Sequence, residues 1–481
     1  MASNDPQSES RRVSPLDAAW LYVDSPDTPM HVGCLQIFSK LRSAPAHFEV
    51  ELERHLRSCS TLAPPFCLKL AQGWSRTMMP AWIHEPAPDM EYHIERVAMT
   101  APGGERELGE LVAELQSDPL DMTRPLWRCY LIEGLADGRY ALFTKIHHSL
   151  MDGIGGMQLL QAALSANRRE RNMLPPWMRT GASLSHSHEH HGLGHALESA
   201  LAQLRSSRGV LSAFGALAGA AMPGAYSRLS APYTAPMTIL NGQTSTQRRF
   251  ATLQLSLERM QDIAHRAGVT LNDVFLEICA SALRRYLKDS DALPEKPLVA
   301  GIPVSVRPKD DHSVGTAISF ILSTLATDLD EPRQRLLAIH EATRAAKEHL
   351  QKMDRSALTE YTLLLMAPYI VELMAGRGGR GHPVFNLAIS NVPGPDHPLY
   401  YNGARMEAMY PMSVLTHGQS LNITTLSYAG QLNVGFTACR IAVPHAQRLA
   451  SYTREAFDEL ETLFAPAKLS VQPLRERSLP S

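Results

Sequence analysis

RYALFTKIHHSLMDGIGGMQLLQAAL, residues 139–164, runs from a strand through a glycine-rich turn into a helix. Residues 139–148 carry the β-branched and aromatic side chains that predict a strand. The strand ends in IHHSLMDGIGG (146–156), and MQLLQAAL (157–164) predicts a helix after it. Because functional groups are often presented where strands end in loops, this junction is the first candidate site.

Two adjacent histidines end this strand. The side chains of His147 and His148 point to opposite faces of an extended strand, so at most one of them faces a given cleft. Asp152 follows four residues after His148, close enough to orient the loop. An imidazole with a pKa near ~6.5 can remove a proton from a bound hydroxyl or amine. The competing interpretation is a histidine that only packs in the core.

Other common catalytic motifs are missing from the sequence. It contains no G-x-S-x-G, no P-loop, and no G-x-G-x-x-G between a strand and a helix. Serine nucleophiles, nucleotide hydrolysis and dinucleotide redox chemistry therefore lack their usual signals. Direct general-base catalysis, in which the substrate supplies the nucleophile, fits the histidine pair better.

Length and composition narrow the class of protein. The 481 residues exceed one ordinary core and predict two domains. The 46 basic and 48 acidic residues leave a net charge of −2, which disfavours a nucleic-acid partner. Six scattered cysteines indicate neither a disulfide framework nor a zinc ribbon, and the polar N-terminus lacks the apolar run of a secretory signal. We therefore expect a cytoplasmic protein.

Strand and helix patterns alternate along the whole chain, which predicts an α/β fold with mixed sheets flanked by helices. Further strands are predicted at 31–38, 297–306, 385–392 and 431–440, and further helices at 256–268, 271–287 and 330–354. The predicted organisation is an N-terminal domain (1–165), a linker or crossover (166–245), a C-terminal domain (246–465) and a flexible tail (466–481).

The linker contains two unusual tracts. Residues 209–226 carry no charge, but their Gly/Ala content and Pro223 favour a buried or membrane-surface helix over a membrane span. Leu211, Phe214 and Leu217 are its candidate lipid anchors. SHSHEHHGLGH (185–195) could bind a divalent ion, but it lacks cysteine and lies in the linker, so we predict no metal.

HHSLMDG fits the HHxxxDG motif of the chloramphenicol-acetyltransferase-like acyltransferases, and its companions narrow the family. These are SPLDAAWLYVDSPDTPMHVG (14–33), RPLWRCYLIEGL (124–135), LNDVFL (271–276), PVSVRP (303–308), ISNVPGP (389–395) and LNITTLSYAGQLNVGFTACR (421–440). Together they resemble the bacterial wax ester synthase/diacylglycerol acyltransferase family, from about Val13 to Phe464. One departure is Thr316 after Gly315, where the family pattern has asparagine.

The resemblance implies two chloramphenicol-acetyltransferase-like domains with an active-site channel between them. It implies transfer of a long-chain acyl group from acyl-CoA to diacylglycerol or a fatty alcohol, without a covalent acyl-enzyme and with no bound cofactor. His148 takes the position of the general base, His147 supports it, and Asp152 holds the loop, with Arg307 as a possible partner. Asn272 is the candidate for oxyanion stabilisation or acyl positioning, the alternative being a helix cap. The candidate substrate-binding residues are Gly153, Trp127, Asp273, Ser390 and Asn391.

Several alternatives stay open. Trp127 is also a candidate core anchor. His147 and Asp152 also satisfy H-x-x-x-x-D, a pattern similar to that of glycerol-phosphate acyltransferases. The chain could be another HHxxxDG acyltransferase with a different acceptor, or a non-enzymatic coat protein of lipid inclusions. For a lipid acyltransferase and for a coat protein alike, we expect peripheral association with the inner membrane or with lipid inclusions. No motif decides between fatty alcohol and diacylglycerol.

Overall fold

The computed structural model describes residues 10–72, 80–179, 232–305, 318–351, 365–366 and 368–465. The predicted lipid anchors, the histidine-rich tract and Arg307 all lie outside these residues. Among the residues described, no helix combines the length and hydropathy that a membrane crossing requires.

Helices and strands alternate as the sequence predicts. The helices are α1 (Pro15–Val23), α2 (Phe48–Ser58), α3 (Met90–His93), α4 (Glu105–Ser117), α5 (Gly153–Ala162), α6 (Leu257–Ala267), α7 (Leu271–Asp289), α8 (Pro332–Gln351) and α9 (Ala446–Leu463). The strands are β1 (Arg11–Arg12), β2 (His31–Ser39), β3 (Leu68–Leu70), β4 (Ala81–His84), β5 (Ile94–Ala98), β6 (Trp127–Glu133), β7 (Arg139–His147), β8 (Arg248–Ser256), β9 (Val299–Ser305), β10 (Ile318–Thr324), β11 (Leu387–Val392), β12 (Tyr400–Tyr401), β13 (Ala404–Met412), β14 (Leu421–Tyr428) and β15 (Gln431–Cys439).

The histidine strand β7 lies inside a six-stranded sheet with the order β12-β13-β2-β7-β6-β5. It pairs antiparallel with β2 and with β6. Tyr140 and Leu142 pack into one core cluster, and Ala141 and Phe143 pack into another on the opposite face. Burial on both faces explains the apolar run over residues 140–143 of this strand.

A second six-stranded sheet has the order β10-β9-β11-β14-β15-β8. Helix α7 packs against α8 and α9 beside it, and most of its side chains are buried. This burial agrees with the high apolar content of its sequence. A small sheet of β1, β4 and β3 completes the strand arrangement in the described residues.

Helix α5 begins earlier than the sequence pattern predicts. The glycine-rich residues 153–156 were expected to form a turn, but they form the first helical turn. Asp152 is the N-cap, and its side chain accepts a hydrogen bond from the backbone N–H of Gly155. A good N-cap outweighs the low helix propensity of the glycines that follow.

The C-terminal part of the chain contributes to both large sheets. β12 and β13 belong to the predicted C-terminal domain (246–465), yet they extend the sheet that contains β7. β13 pairs antiparallel with β2, with Met412 opposite Gly33. A boundary at one point of the sequence therefore does not separate the two sheets. Hydrophobic periodicity predicts that a strand exists but does not identify its partner.

Close backbone packing joins the two sheets. A Cβ atom at Gly435 on β15 would clash with the carbonyl oxygen of Pro411 on β13. Nearby, the Tyr428 hydroxyl donates a 2.8 Å hydrogen bond to the Met406 carbonyl oxygen. This junction requires glycine at position 435 for space rather than for backbone conformation.

We predict that Gly435→Ala destabilises the protein by about 1–3 kcal/mol, because the added methyl group must push β13 and β15 apart. Gly242→Ala is the matched control, since a Cβ there meets open space. The control should stay within about 0.5 kcal/mol of the parent protein or gain stability. Urea unfolding measures both variants. Equal stability of the two would show that the junction tolerates a side chain.

Candidate active site

The histidine pair lies where β7 leaves its sheet. The backbone N–H of His147 donates to the Leu126 carbonyl oxygen at 2.9 Å, and that of His148 donates to the Met30 carbonyl oxygen at 2.8 Å. These bonds come from the two sides of β7, because Leu126 precedes β6 and Met30 precedes β2. The backbone of both histidines is therefore fixed before their side chains make any contact.

His147 is buried and serves as a fixed internal group. Its Nδ1 accepts a 3.1 Å hydrogen bond from the Ser149 backbone N–H and lies 2.6 Å from the Ser149 hydroxyl. Nδ1 is thus the acceptor, so the neutral ring carries its proton on Nε2. Nε2 lies 3.7 Å from Asp24 Oδ1, which is too long for a hydrogen bond but close enough for electrostatic attraction.

His148 points to the other side, as the alternation of strand side chains requires, and it is only half-buried. Its ring stacks on Trp20 of α1, with ring centroids 4.1 Å apart and planes inclined by 28°. Within the described residues, no side chain hydrogen-bonds to the imidazole. Desolvation by the surrounding protein lowers the pKa of His148 to about 4, and the Asp152 carboxylate partly opposes this effect. The ring is therefore neutral at pH 7.

Asp152 holds the turn that follows the histidines. Its Oδ1 accepts a 2.7 Å hydrogen bond from the Gly155 N–H as the cap of α5. The added Cβ of an alanine at Gly153 would meet no atom within 4 Å, so this predicted substrate-binding position faces open space. The structure thus places both residues beside His148, while substrate contact at Gly153 stays a prediction.

Asn272 and Asp273 lie in the first turn of α7, but their side chains differ in environment. Thr270 is the N-cap, and the Asp273 side chain completes the capping box. The buried Asp273 carboxylate also accepts hydrogen bonds from His340 Nδ1 at 2.7 Å and from the Thr343 hydroxyl at 2.6 Å. These hydrogen bonds lower the pKa of Asp273 despite its burial. Asp273 therefore has a structural role in this geometry, and its contact with substrate stays a prediction.

Asn272 is not the helix cap, which was the alternative to a functional role. Its side chain is half-buried, and in the described ranges its amide has no hydrogen-bond partner. The same ranges contain no hydrogen bond or ring contact between Asn272 and His148. An amide without a structural partner remains available to bind a ligand.

Trp127 is a core residue, which agrees with the core-anchor interpretation and not with its assignment to substrate binding. Its side chain has no exposed surface, and Nε1 donates a 2.9 Å hydrogen bond to the Phe66 carbonyl oxygen. It stacks on His93 and on Trp177, with ring centroids 4.3 Å and 5.3 Å away. Both faces of the indole are covered by protein, which leaves none of its surface for substrate.

Ser390 and Asn391 lie on β11, in the sheet that contains β14. Asn391 is exposed, and its Oδ1 accepts a 2.9 Å hydrogen bond from the Thr425 hydroxyl. The backbone oxygen of Ser390 accepts a longer bond from the same hydroxyl. No contact joins either residue to His148 in the part of the chain that the structure describes. Their binding of substrate stays a prediction.

Sequence reasoning missed the residues that hold the histidine pair from α1 and its following loop. Trp20 stacks on His148, Asp24 faces His147, and the Asp24 Oδ1 accepts a 2.6 Å hydrogen bond from the Met30 N–H. Trp20, Asp24 and Met30 all lie in the stretch 14–33, whose sequence indicates the family but no contact with residue 148. Because this stretch is far from residue 148 in the sequence, no local pattern indicates the contact.

The described residues contain no group of three or more His, Cys, Asp or Glu side chains arranged to hold a metal ion. The six cysteines are all buried and free.

Family comparisons match almost the whole chain. The "Wax ester synthase/diacylglycerol acyltransferase catalytic domain" matches residues 13–275, and the "WS/DGAT C-terminal domain" matches residues 314–461. A putative diacylglycerol O-acyltransferase of Mycobacterium tuberculosis is 38% identical over 93% of this chain and 99% of that protein. The O-acyltransferase WSD of Acinetobacter baylyi is 35% identical over 95% of this chain and 98% of its own length.

Solved structures support the same fold. The wax ester synthase/diacylglycerol acyltransferase from Marinobacter aquaeolei VT8 has a TM-score of 0.78 and 34% identity, covering 94% of this chain and 99% of that one. The first condensation domain of the calcium-dependent antibiotic synthetase has a TM-score of 0.56 at 16% identity, over 95% of this chain and 97% of that one. The second likeness shows the fold alone.

These matches confirm the predicted α/β fold and the resemblance that HHSLMDG and its companion motifs indicated. They also identify the chain as an enzyme, because the catalytic-domain match includes the strand, turn and capped helix around His148. The chain belongs to the wax ester synthase/diacylglycerol acyltransferase family of O-acyltransferases.

Proposed function

We propose that the protein transfers a long-chain acyl group from acyl-CoA to diacylglycerol, to a long-chain fatty alcohol, or to both. The observation that carries this proposal is the half-buried His148 ring, which is neutral and lacks a side-chain hydrogen-bond partner among the described residues. A general base must be unprotonated and within reach of the substrate hydroxyl. His148 meets the first condition, and its exposed edge is consistent with the second.

His148 accepts the hydroxyl proton of the acceptor while the hydroxyl oxygen attacks the thioester carbonyl carbon. The resulting tetrahedral intermediate collapses when its C–S bond breaks, and the imidazolium returns the proton to the departing CoA thiolate. The products are an ester and free CoA, and the imidazole is neutral again. Atoms and charges balance without a covalent acyl-enzyme, so the absence of a serine-elbow motif is consistent with this route.

Asn272 is our candidate for stabilising the negative charge on the former carbonyl oxygen. Its amide can donate a hydrogen bond, and an oriented donor in a site with little water stabilises an oxyanion more than it does in bulk water. The support is that Thr270 and Asp273, rather than Asn272, cap α7. Gly153, Ser390 and Asn391 are the further candidates for contact with the acyl donor or acceptor.

His147 and Asp152 act through the protein rather than on the substrate. The hydrogen bonds of His147 to Ser149 keep its ring fixed behind the site. Asp152 holds the start of α5 and places a negative charge that favours the imidazolium form of His148. The role of His147 and of the Asp152 cap is therefore to fix the position of groups near His148. The role of the Asp152 charge is to favour protonation of His148.

The acceptors are inferred from the names of the relatives, which are described as diacylglycerol O-acyltransferases and as a wax ester synthase/diacylglycerol acyltransferase. The acyl-CoA donor is inferred from the family resemblance of HHSLMDG and its companion motifs. Both acceptors present a hydroxyl to the same base, so the proposed chemistry serves either. Incubation with acyl-CoA and equal amounts of hexadecanol and a diacylglycerol, followed by quantification of both esters, determines the preference.

We also propose that the enzyme is cytoplasmic and associates peripherally with the inner membrane or with lipid inclusions. Its proposed acceptors partition into lipid, so acyl transfer requires access to a lipid surface. A purely non-enzymatic coat protein would require none of the contacts that orient His148. CoA release from acyl-CoA plus hexadecanol or diacylglycerol separates the two functions.

His148→Ala should reduce acyl transfer by about 10²- to 10⁴-fold, the usual contribution of a general base. The assay is release of the CoA thiol with each acceptor. His397→Ala is the control, because His397 is an exposed histidine on a loop. A folded His148→Ala enzyme with near-parental turnover would reject His148 as the base.

The pH profile should reflect the lowered pKa of His148. A base is active when unprotonated, so activity rises with pH through its pKa and is lost below it. With a pKa of about 4, activity at pH 6 should equal that at pH 7.5. A histidine with the ordinary pKa would lose about three quarters of its activity at pH 6. Single-turnover rates measured from pH 5 to 8 on folded enzyme distinguish these profiles.

Asp152→Ala should lower both stability and activity. Losing the cap of α5 costs about 0.5–2 kcal/mol, measured by urea unfolding. Asp152→Asn keeps an oxygen that can cap the helix but removes the charge, so it should lose less stability while its acyl-transfer rate still falls. Unfolding of Asp152→Ala at the same urea concentration as the parent protein would contradict the capping role.

A further inference from the structure

We propose that Trp20 is a positioning residue for His148 and stabilises the imidazolium that forms when His148 accepts the acceptor's proton. The stacked rings have centroids 4.1 Å apart and planes inclined by 28°. This distance lies within the ~6 Å at which a cation is attracted to an indole face, the strongest of the aromatic side chains in this respect. The inference rests on the proposed role of His148 as the base.

The backbone around this stack is fixed from α1 through the following loop. Asp24, the C-cap residue of α1, accepts the Met30 N–H, and the Met30 carbonyl oxygen accepts the His148 N–H. The end of α1, which carries Trp20, is therefore linked to the His148 backbone by two hydrogen bonds. These hydrogen bonds therefore help to fix the distance between the indole of Trp20 and the imidazole of His148.

Desolvation of His148 has two opposing effects on proton transfer, and the stack with Trp20 offsets the unfavourable one. Desolvation keeps the imidazole neutral and ready to accept a proton, but it also opposes the imidazolium that must form in the transition state. The negative face of an indole attracts a cation much more than a neutral ring. Trp20 therefore favours the protonated ring over the neutral ring, which is the kind of interaction that raises kcat rather than lowering KM.

Charged and titratable groups on each neighbouring element also act on this pair of rings. Asp152 at the start of α5 favours the imidazolium of His148, and His147 on β7 opposes it. Asp24 after α1 and His31 on β2 face His147, since Asp24 lies 3.7 Å from its Nε2 and His31 pairs with it across the strands. Substitutions confined to Trp20 leave all four groups in place and so isolate the indole.

Fluorination tests the electrostatic part of the proposal, because each fluorine weakens the negative face of the indole while preserving its shape. The full chain is made with mono-, di-, tri- and tetrafluorotryptophan at position 20 only. We expect the single-turnover acyl-transfer rate to fall stepwise, by about 2- to 30-fold in total, with KM for the acyl-CoA unchanged. Equal rates across the series would overturn the proposal and leave Trp20 as a packing residue.

Substitutions of Trp20 by other natural amino acids give an independent measurement. Trp20→Leu keeps an apolar cover but loses the aromatic face, so its rate should fall as far as that of tetrafluorotryptophan, and Trp20→Phe should recover part of the loss. Tyr22→Leu removes a ring from the same helix, so the difference between its rate and that of Trp20→Leu measures what the indole adds. If Trp20→Phe and Trp20→Leu are equally slow, the aromatic face is not the cause and the proposal fails.

The same assays separate this inference from the proposed function. If His148→Ala is inactive and the fluorinated series is flat, His148 remains the base and only the role of Trp20 is rejected. If His148→Ala retains near-parental turnover, the general-base proposal fails, and with it the imidazolium that Trp20 would stabilise. Circular dichroism of each variant verifies that the helices are retained.

Discussion

The hydrogen bond from the His148 N–H to the Met30 carbonyl oxygen extends the pairing of β2 with β7 to the last residue before the turn. The antiparallel register places His31 opposite His147. It follows that His147 points into the protein and His148 points to Trp20, because consecutive strand residues alternate between faces. A shift of this register by one residue would exchange the two histidines, burying His148 and exposing His147.

The register of β2 and β7 also explains the electrostatics of the site. His147 is buried with its proton on Nε2 facing Asp24, while His148 is half-buried between Trp20 and the start of α5. Desolvation makes His148 a weak base, and weak bases accept protons reluctantly. The Asp152 charge favours the protonated ring and thereby moderates the penalty. In a site with little water, groups that favour the imidazolium make proton transfer to His148 compatible with its burial.

The local elements could be predicted from sequence because their signals are local. Residues 140–143 of the histidine strand are apolar, Ser256 and Gly268 cap the two ends of α6, and Thr270 caps α7. Each of these signals lies within or next to the element that it defines. The family followed from motifs of the same kind. The features that the sequence did not reveal are contacts between residues far apart in the chain, or they depend on competition between local preferences. β13 joining β2, Trp127 enclosed by His93 and Trp177, and Trp20 reaching His148 have no periodicity to reveal them.

The sharing of strands between the two sheets has a consequence for selectivity. β13 fixes the C-terminal region to β2, the neighbour of the histidine strand, so elements from both regions are held in one framework around the site. The base and its supports come from α1, β2, β7 and α5, whereas Asn272 and Ser390 come from α7 and β11. In the mechanism that we propose, proton transfer to His148 is the same for any hydroxyl, so discrimination between one aliphatic chain and a branched glyceride would come from the shape of the surrounding walls. On this proposal, we expect substitutions on α7 and β11 to change the choice of acceptor more than the proton transfer at His148.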